Sequence, residues 1–320
     1  MVNLVIAPLW VNSLAPRPEP DPYEPHRRNL REVFLKFRRR ATALAGEITG
    51  SLPELTVHDV THLDALWETA GLIAGDEFDL TPTEAFVLGG AFLVHDLAMS
   101  RAAYPEGLEA LRREPTSQDM LAALLRKRLG RAPSRAEVES PDEEVRDELD
   151  KTLLRINHAR QAEQLPMSEW KIDEGGTAYH LIEDPELRET YGPTIGRIAH
   201  SHWWNVDRLP QEFGEPLGAP GGYPAEWGVD ALKLAALLRV ADASHLDDRR
   251  APGFLMALRK PAGVAKSHWQ FQNNLLQPRR EADRLVYTAK RPFKLEEAPA
   301  WWLCFDTLQV VDRELRQVDS

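Results

Sequence analysis

An all-α bundle with a small β-hairpin and a closing helix at its carboxyl end is the fold class this sequence predicts, on three observations. Glu84–Met99 is a nearly uncharged run with a helix-start signal in front of it; apolar side chains recur at helical spacing through much of the remaining chain; strand-like patterning is confined to His268–Phe271 and Leu285–Thr288. With 320 residues the chain can bury a large core.

Each element follows in order. Residues 1–25 carry Pro8, Pro16, Pro18, Pro20, Pro22 and Pro25, a spacing that predicts an extended arm packed on the surface. From His26 to Ile48, Leu30, Val33, Phe34, Phe37, Ala41, Leu44 and Ile48 mark one helix, with the basic run Lys36–Arg40 on its solvated face. A second helix is predicted over Asp59–Ala74, with His58 and His62 one turn apart at its start, Asp59 as a cap and Asp64 in solvent.

Thr81, Pro82 and Glu84 then form a capping-box start for the helix Glu84–Met99. From Ala85 onward its only ionisable side chains are His95 and Asp96. A carboxylate inside such a helix must be neutralised, paired or bound to a metal, so Asp96 needs either a cation or an arginine.

Residues 100–145 are polar and broken by prolines at 105, 115, 133 and 141, which predicts short helices and loops over one side of the core, a candidate lid. A helix over Asp142–Leu165 has Val145, Leu149, Leu153, Leu154 and Ile156 on its apolar side and His158 near its end. The next, Pro193–Trp203, holds His200 and His202, which cannot both face inward. His202 shares a face with Ile195, Ile198 and Ala199, and His200 is then left for the cavity rim. Residues 210–227 read as an irregular Gly/Pro loop, and Val229–Ala243 as a second largely apolar helix with the carboxylate Asp242 near its end. Trp301–Val318 reads as the closing helix. The chain thus divides into a Pro-rich arm (1–25), a helical unit (26–260) and a hairpin-plus-helix appendage (261–320).

Composition excludes several classes. Fifty acidic against 39 basic residues, a formal charge of −11, argue against general affinity for nucleic acid or an anionic membrane. The single cysteine, Cys304, leaves no internal disulfide and fits a reducing, cytoplasmic compartment. There is no basic residue before Arg17 to make a secretory leader, and no apolar run of about eighteen residues to span a membrane.

Taken together, His62, His95–Asp96, His158, His202 and Asp242 are unusual polar residues on helices around one core. This pattern resembles the HD-domain superfamily of metal-dependent phosphohydrolases, whose signature H…HD…D maps onto His62, His95, Asp96 and Asp242. The stretch LLRVADASHLDDRRAP around Asp242 is similar to a bacterial HD-CE-like subfamily whose domains often precede an ATPase-like or other module. The likeness spans roughly residues 30–320 and makes 26–260 the HD-type metal-binding domain.

The resemblance implies one or two divalent ions, Mn, Mg, Fe, Co, Ni or Zn. His158 and His202 resemble the histidines that complete a second site in two-metal members. A donor set of imidazoles and carboxylates suits these ions, and the lack of cysteine ligands disfavours a structural zinc centre. Asp96, His158 and His200 are the implied catalytic candidates. Arg155, Arg160, Arg249 and Arg250 are candidate phosphate anchors, because a guanidinium matches phosphate oxygens with parallel hydrogen bonds. His58 and His245 are candidate substrate contacts, Asp247 a supporting or ion-paired group, and Trp203 and Trp204 either packing residues or a platform for a base.

The expected activity is metal-dependent hydrolysis of a nucleotide or other small phosphoester. The same six-residue set belongs to HD-type di-iron oxygenases, and a non-hydrolytic nucleotide-sensing or interaction module, with another domain as partner, is the third reading.

Overall fold

The computed structural model describes residues 6–173 and 175–319. Its helices are α1 (Pro8–Ser13), α2 (Glu24–Gly46), α3 (Ile48–Ser51), α4 (Val60–Ala74), α5 (Pro82–Val94), α6 (Glu109–Arg112), α7 (Pro115–Leu129), α8 (Arg135–Glu139) and α9 (Glu143–Ala162). After a short antiparallel pair, β1 (Trp170–Lys171) and β2 (Ala178–Tyr179), come α10 (Pro185–Ser201), α11 (Leu209–Glu212), α12 (Ala231–Ser244), α13 (Gly253–Arg259) and α14 (Gly263–Asn273). The hairpin β3 (Arg279–Glu281) and β4 (Arg284–Val286) and the helix α15 (Ala298–Val318) end the described chain. The fold is mostly α, as the sequence predicts, and no helix among the described residues is long and apolar enough to cross a membrane.

The bundle is built around α5, every residue of which is buried. Its start is the predicted capping box: the Thr81 side chain accepts from the Glu84 N–H, and the Glu84 carboxylate accepts from the Thr81 N–H. Two glycines let neighbours approach. A Cβ on Gly89 would lie 2.5 Å from Trp67 of α4 and 2.6 Å from Phe34 of α2, and one on Gly90 would lie 2.8 Å from Ile195 of α10. The helix stops at Val94, earlier than the predicted Met99, and Leu97–Met99 tighten into a 3-10 turn. No glycine or proline marks that stop.

The amino-terminal arm departs from expectation. Leu4 and Val5 of its apolar run lie outside the described residues, but Pro8 occupies the first helical position of α1, and Trp10 drives into the core. Its ring meets Trp67 edge-on at 5.7 Å and Phe34 at 5.3 Å. The prolines that forbid a helix cluster from Pro16 onward and leave residues 9–15 free to form one.

Residues 100–145 are not a lid over the cavity described below. Leu108, Leu111, Leu121 and Leu125 from α6, α7 and the loop before them pack on Val145, Leu149, Leu153 and Leu154 of α9, a second apolar core. α10 starts at Pro185 with Asp184 as its cap, so Pro193, the predicted start, sits inside it. His268–Phe271, predicted as a strand, is helical within α14. There the Trp269 indole N–H donates to the Glu54 carbonyl and Phe271 joins Cys304 and Val311 in a third cluster, so tertiary packing outweighs local strand preference. The hairpin itself pairs Arg279 with Val286 and turns through Ala282 at φ 55°.

Candidate metal centre

Three helices bring four polar groups to one point in the interior. His62 comes from the first turn of α4, His95 and Asp96 from the end of α5, and Asp242 from the last turn of α12. The His62 Nε2 lies 3.3 Å from His95 Nε2, 3.6 Å from Asp96 Oδ2 and 3.4 Å from Asp242 Oδ1. His95 Nε2 is 3.2 Å from Asp96 Oδ2 and 3.6 Å from Asp242 Oδ1. The backbone stays helical through His95, so the two side chains leave it about 100° apart, and they meet through the reach of the imidazole and the carboxylate.

Asp96 also faces a second group. Its Oδ1 lies 3.6 Å from Nε2 of His158 on α9, which is 3.1 Å from Nε2 of His202, the residue that ends α10. Ligand atoms of His62, His95, Asp96 and Asp242, and separately of Asp96, His158 and His202, lie within 4.8 Å of one another. Among the described residues, every ion-pair partner of Asp96 and Asp242 within 4.0 Å is a histidine. The arginine alternative for Asp96 therefore falls.

The hydrogen bonds behind the rings fit a cation. Nδ1–H of His95 donates to the Phe92 carbonyl at 3.0 Å, that of His158 to Arg155 at 2.6 Å, and that of His202 to Ala199. Each bond leaves the Nε2 lone pair free to ligate. His62 has a different support: its ring stacks on His245, with the two Nδ1 atoms 2.8 Å apart. Burial holds His245 neutral by lowering its pKa well below the ordinary value, so its Nδ1 can accept the His62 proton. Its Nε2 then faces Asp247 Oδ2 at 3.7 Å.

Electrostatics point the same way. Burial opposes charge on His95, but Asp96 and Asp242 outweigh it and raise its pKa to about 10. Burial would raise Asp96 and Asp242, yet the imidazoles hold both well below the usual carboxylate range. His58 is pushed down to about 3, by burial and then Arg250, and His202 to about 4, by burial and then His95 and His158.

A cavity of about 940 Å³ opens onto this centre. Its lining includes His58, His158, Asp242 and Arg250 with the exposed Arg155, while Met99, Ile156, Trp203, Leu246 and Val264 give it an apolar wall. Arg250 is held by its neighbours: Nη2 donates to His58 Nε2 at 2.9 Å, and Nη1 lies 2.9 Å from His62 Nε2. Trp203 is 60 % exposed at the mouth, its ring edge-on to His158 at 4.9 Å.

Other candidates lie elsewhere. His200, a predicted catalytic group, bonds through Nδ1 to Glu163 and packs on Trp204, because residues two apart on α10 face different ways. Arg160 pairs with Glu114 on the surface. Arg249 grips Asp247 and Glu68 and is not in the cavity. Asp64, predicted in solvent, is buried and pairs with Arg38, whereas Asp59 caps α4 as predicted. Trp204 is a packing residue stacked on Phe213. The sequence reading missed the carboxyl-terminal wall of the cavity, Gly263, Ala265 and His268 of α14 and Thr307, Val310 and Val311 of α15. Nothing in their local pattern separates them from ordinary helix residues.

Comparison with known proteins gives one match: a family model, HD-CE, fits residues 52–317. Neither the curated proteins nor the solved structures searched contain a match to the chain.

Proposed function

This chain belongs to the HD-CE family, and from that premise we propose that it is a phosphohydrolase acting on a nucleotide or another small phosphoester. The family and the His/Asp cluster fit an HD-type metal-dependent hydrolase. The observation that carries the finer reading is Asp96, which turns one oxygen to each of two groups of donors at the inner end of an arginine-bearing cavity.

His62, His95, Asp96 and Asp242 would hold one divalent cation, and Asp96, His158 and His202 a second. A cation there supplies Lewis acidity, which lowers the pKa of water and polarises a phosphoryl oxygen. The chain's own groups do the rest. Arg250 and Arg155 present guanidinium donors to the phosphate, and His58 keeps Arg250 aimed inward. The carbonyl bonds at Nδ1 hold the rings so that no reorientation is needed as charge develops. Trp203 offers a face on which a base can stack. Burial of His62, His95 and Asp96 excludes bulk water from one side of the first cluster. The single cysteine supports a cytoplasmic setting for this activity.

The test is elemental analysis of protein purified without added metal, followed by a phosphate-release screen over nucleotides and cyclic nucleotides. Asp96→Ala is expected to lose both bound metal and phosphate release. Full metal content in that variant would refute the ligand assignment. Two irons with a dioxygen-dependent spectrum would favour oxygenase chemistry, and tight nucleotide binding without turnover a sensing module.

A further inference from the structure

Arg239 is a charged residue in the apolar helix α12, and only 6 % of it is exposed. Its Nη1 donates to the carbonyls of Ser201 at 2.8 Å, His202 at 3.3 Å and Trp204 at 2.7 Å. Its Nε and Nη2 donate to the Glu314 carboxylate of α15 at 2.8 to 3.1 Å. Carbonyls at the end of a helix have no partner within it, and one guanidinium can satisfy several at once. The three that Arg239 holds lie on and around a single candidate ligand, His202.

We infer that the Arg239–Glu314 pair is a positioning device for the Asp96–His158–His202 cluster. It sets the backbone from which His202 reaches Asp96 and His158, and so makes cation uptake at that cluster depend on the docking of α15. The inference rests on the reading that both clusters take divalent cations. A buried ion pair adds little net stability over apolar packing, so tying α15 down is not the distinctive property of this pair; its hold on residues 201–204 is. The other cluster hangs from α4, α5 and α12; its His95 meets the His202 ring edge-on at 5.4 Å, but among the described residues no hydrogen bond joins its donors to residues 201–204. The face of α15 that carries Glu314 also lends Val310 and Val311 to the cavity wall, one turn away. A ligand pressing on that wall therefore acts on the helix that steadies His202.

The experiment is a cobalt(II) titration of the metal-free full chain, read by visible absorption and by competition with a chelator. The wild type is expected to take two equivalents and His202→Ala one. Glu314→Gln breaks the bidentate grip, and is expected to bind one equivalent as the wild type does and the other roughly 10- to 100-fold more weakly, the range for losing a group that orients a ligand. Arg239→Lys, which keeps the charge but cannot span the carbonyls and the carboxylate, is expected to show the same single-site loss if Glu314→Gln does not fold. Asp312→Ala removes an exposed pair with Arg316 on the same helix and is expected to change neither site. Wild-type affinity at both sites in Glu314→Gln, with His202→Ala losing one, overturns the inference and leaves the metal reading standing. Loss of both sites in a folded Glu314→Gln also overturns it. A wild type that binds no cobalt overturns the metal reading and the inference together, and one that binds a single equivalent overturns the two-cation reading and the inference with it.

Discussion

Replacing Gly89 by alanine sets two effects of opposite sign against each other. In a helix interior alanine is favoured over glycine by about 1 kcal/mol. Against this, the new Cβ would lie 2.5 Å from Trp67 Cζ2, 2.6 Å from Phe34 Cε2 and 3.0 Å from Phe34 Cζ. Neither ring has room to retreat, since both are buried and Trp10 packs on each. Overpacking of this kind costs about 1–3 kcal/mol, occasionally more, and with two aromatic rings affected the upper end applies. Gly89→Ala is therefore expected to destabilise the metal-free chain by roughly 2 kcal/mol once the propensity gain is subtracted. Urea unfolding followed by tryptophan fluorescence and circular dichroism should show a lower midpoint with unchanged slope. In a Trp10→Ala background the rings gain space and the penalty should shrink, a coupling that a double-mutant cycle reads directly. A Gly89→Ala midpoint equal to or above that of the wild type would refute the account of α5 as a helix gripped on both sides.

Three more predictions follow from the same geometry. Trp10→Ala removes a buried ring from the main core and should cost about 3–5 kcal/mol; a loss under 1 kcal/mol in urea unfolding would mean that the arm is not part of the core. His58 and His202, lowered to about 3 and about 4, stay neutral in the fold, so the stability they contribute is present above 6.5, the unfolded value, and lost as pH falls through those values. Each adds a slope of about 1.4 kcal/mol per pH unit in that window, and a metal-free protein whose stability is flat between pH 6.5 and 4.5 would contradict this. His95, raised to about 10, carries a proton in the metal-free protein at neutral pH, and ligation must displace it. Cation binding should thus release about one proton at pH 7.5, seen by calorimetry in buffers of different ionisation enthalpy, and tighten as pH rises; binding with no proton release would contradict a protonated His95 that gives up its proton to ligate.

Much of the centre was legible because its residues violate their surroundings. His95 and Asp96 are the only ionisable groups in a run that must be buried, and Thr81, Pro82 and Glu84 mark that run as a helix. The choice of His202 over His200 followed from the face shared with Ile195, Ile198 and Ala199, and the structure places His202 beside His158. The failures share a different cause. Asp64 and Arg38 are 26 residues apart and Arg239 and Glu314 are 75 apart, and such pairings leave no mark on local pattern. His268–Phe271 carries a strand pattern although it is helical within α14, because His268, Trp269 and Phe271 suit either state until Glu54 and the α15 cluster are present to receive them. The stop of α5 at Val94 has no breaker residue to announce it.

The separate apolar core under α9 has a dynamic consequence. His62, His95 and Asp242 hang from helices of the large core, but α9, which carries His158, shares its other face with the small layer of α6 and α7. That layer buries few side chains and is the cheaper unit to open. Sub-global melting of it would loosen His158 while α4, α5 and α12 stay folded. Amides of α6 to α8 should then exchange with deuterium together and earlier than those of α5, and one side of the cluster pair would breathe on a timescale of its own.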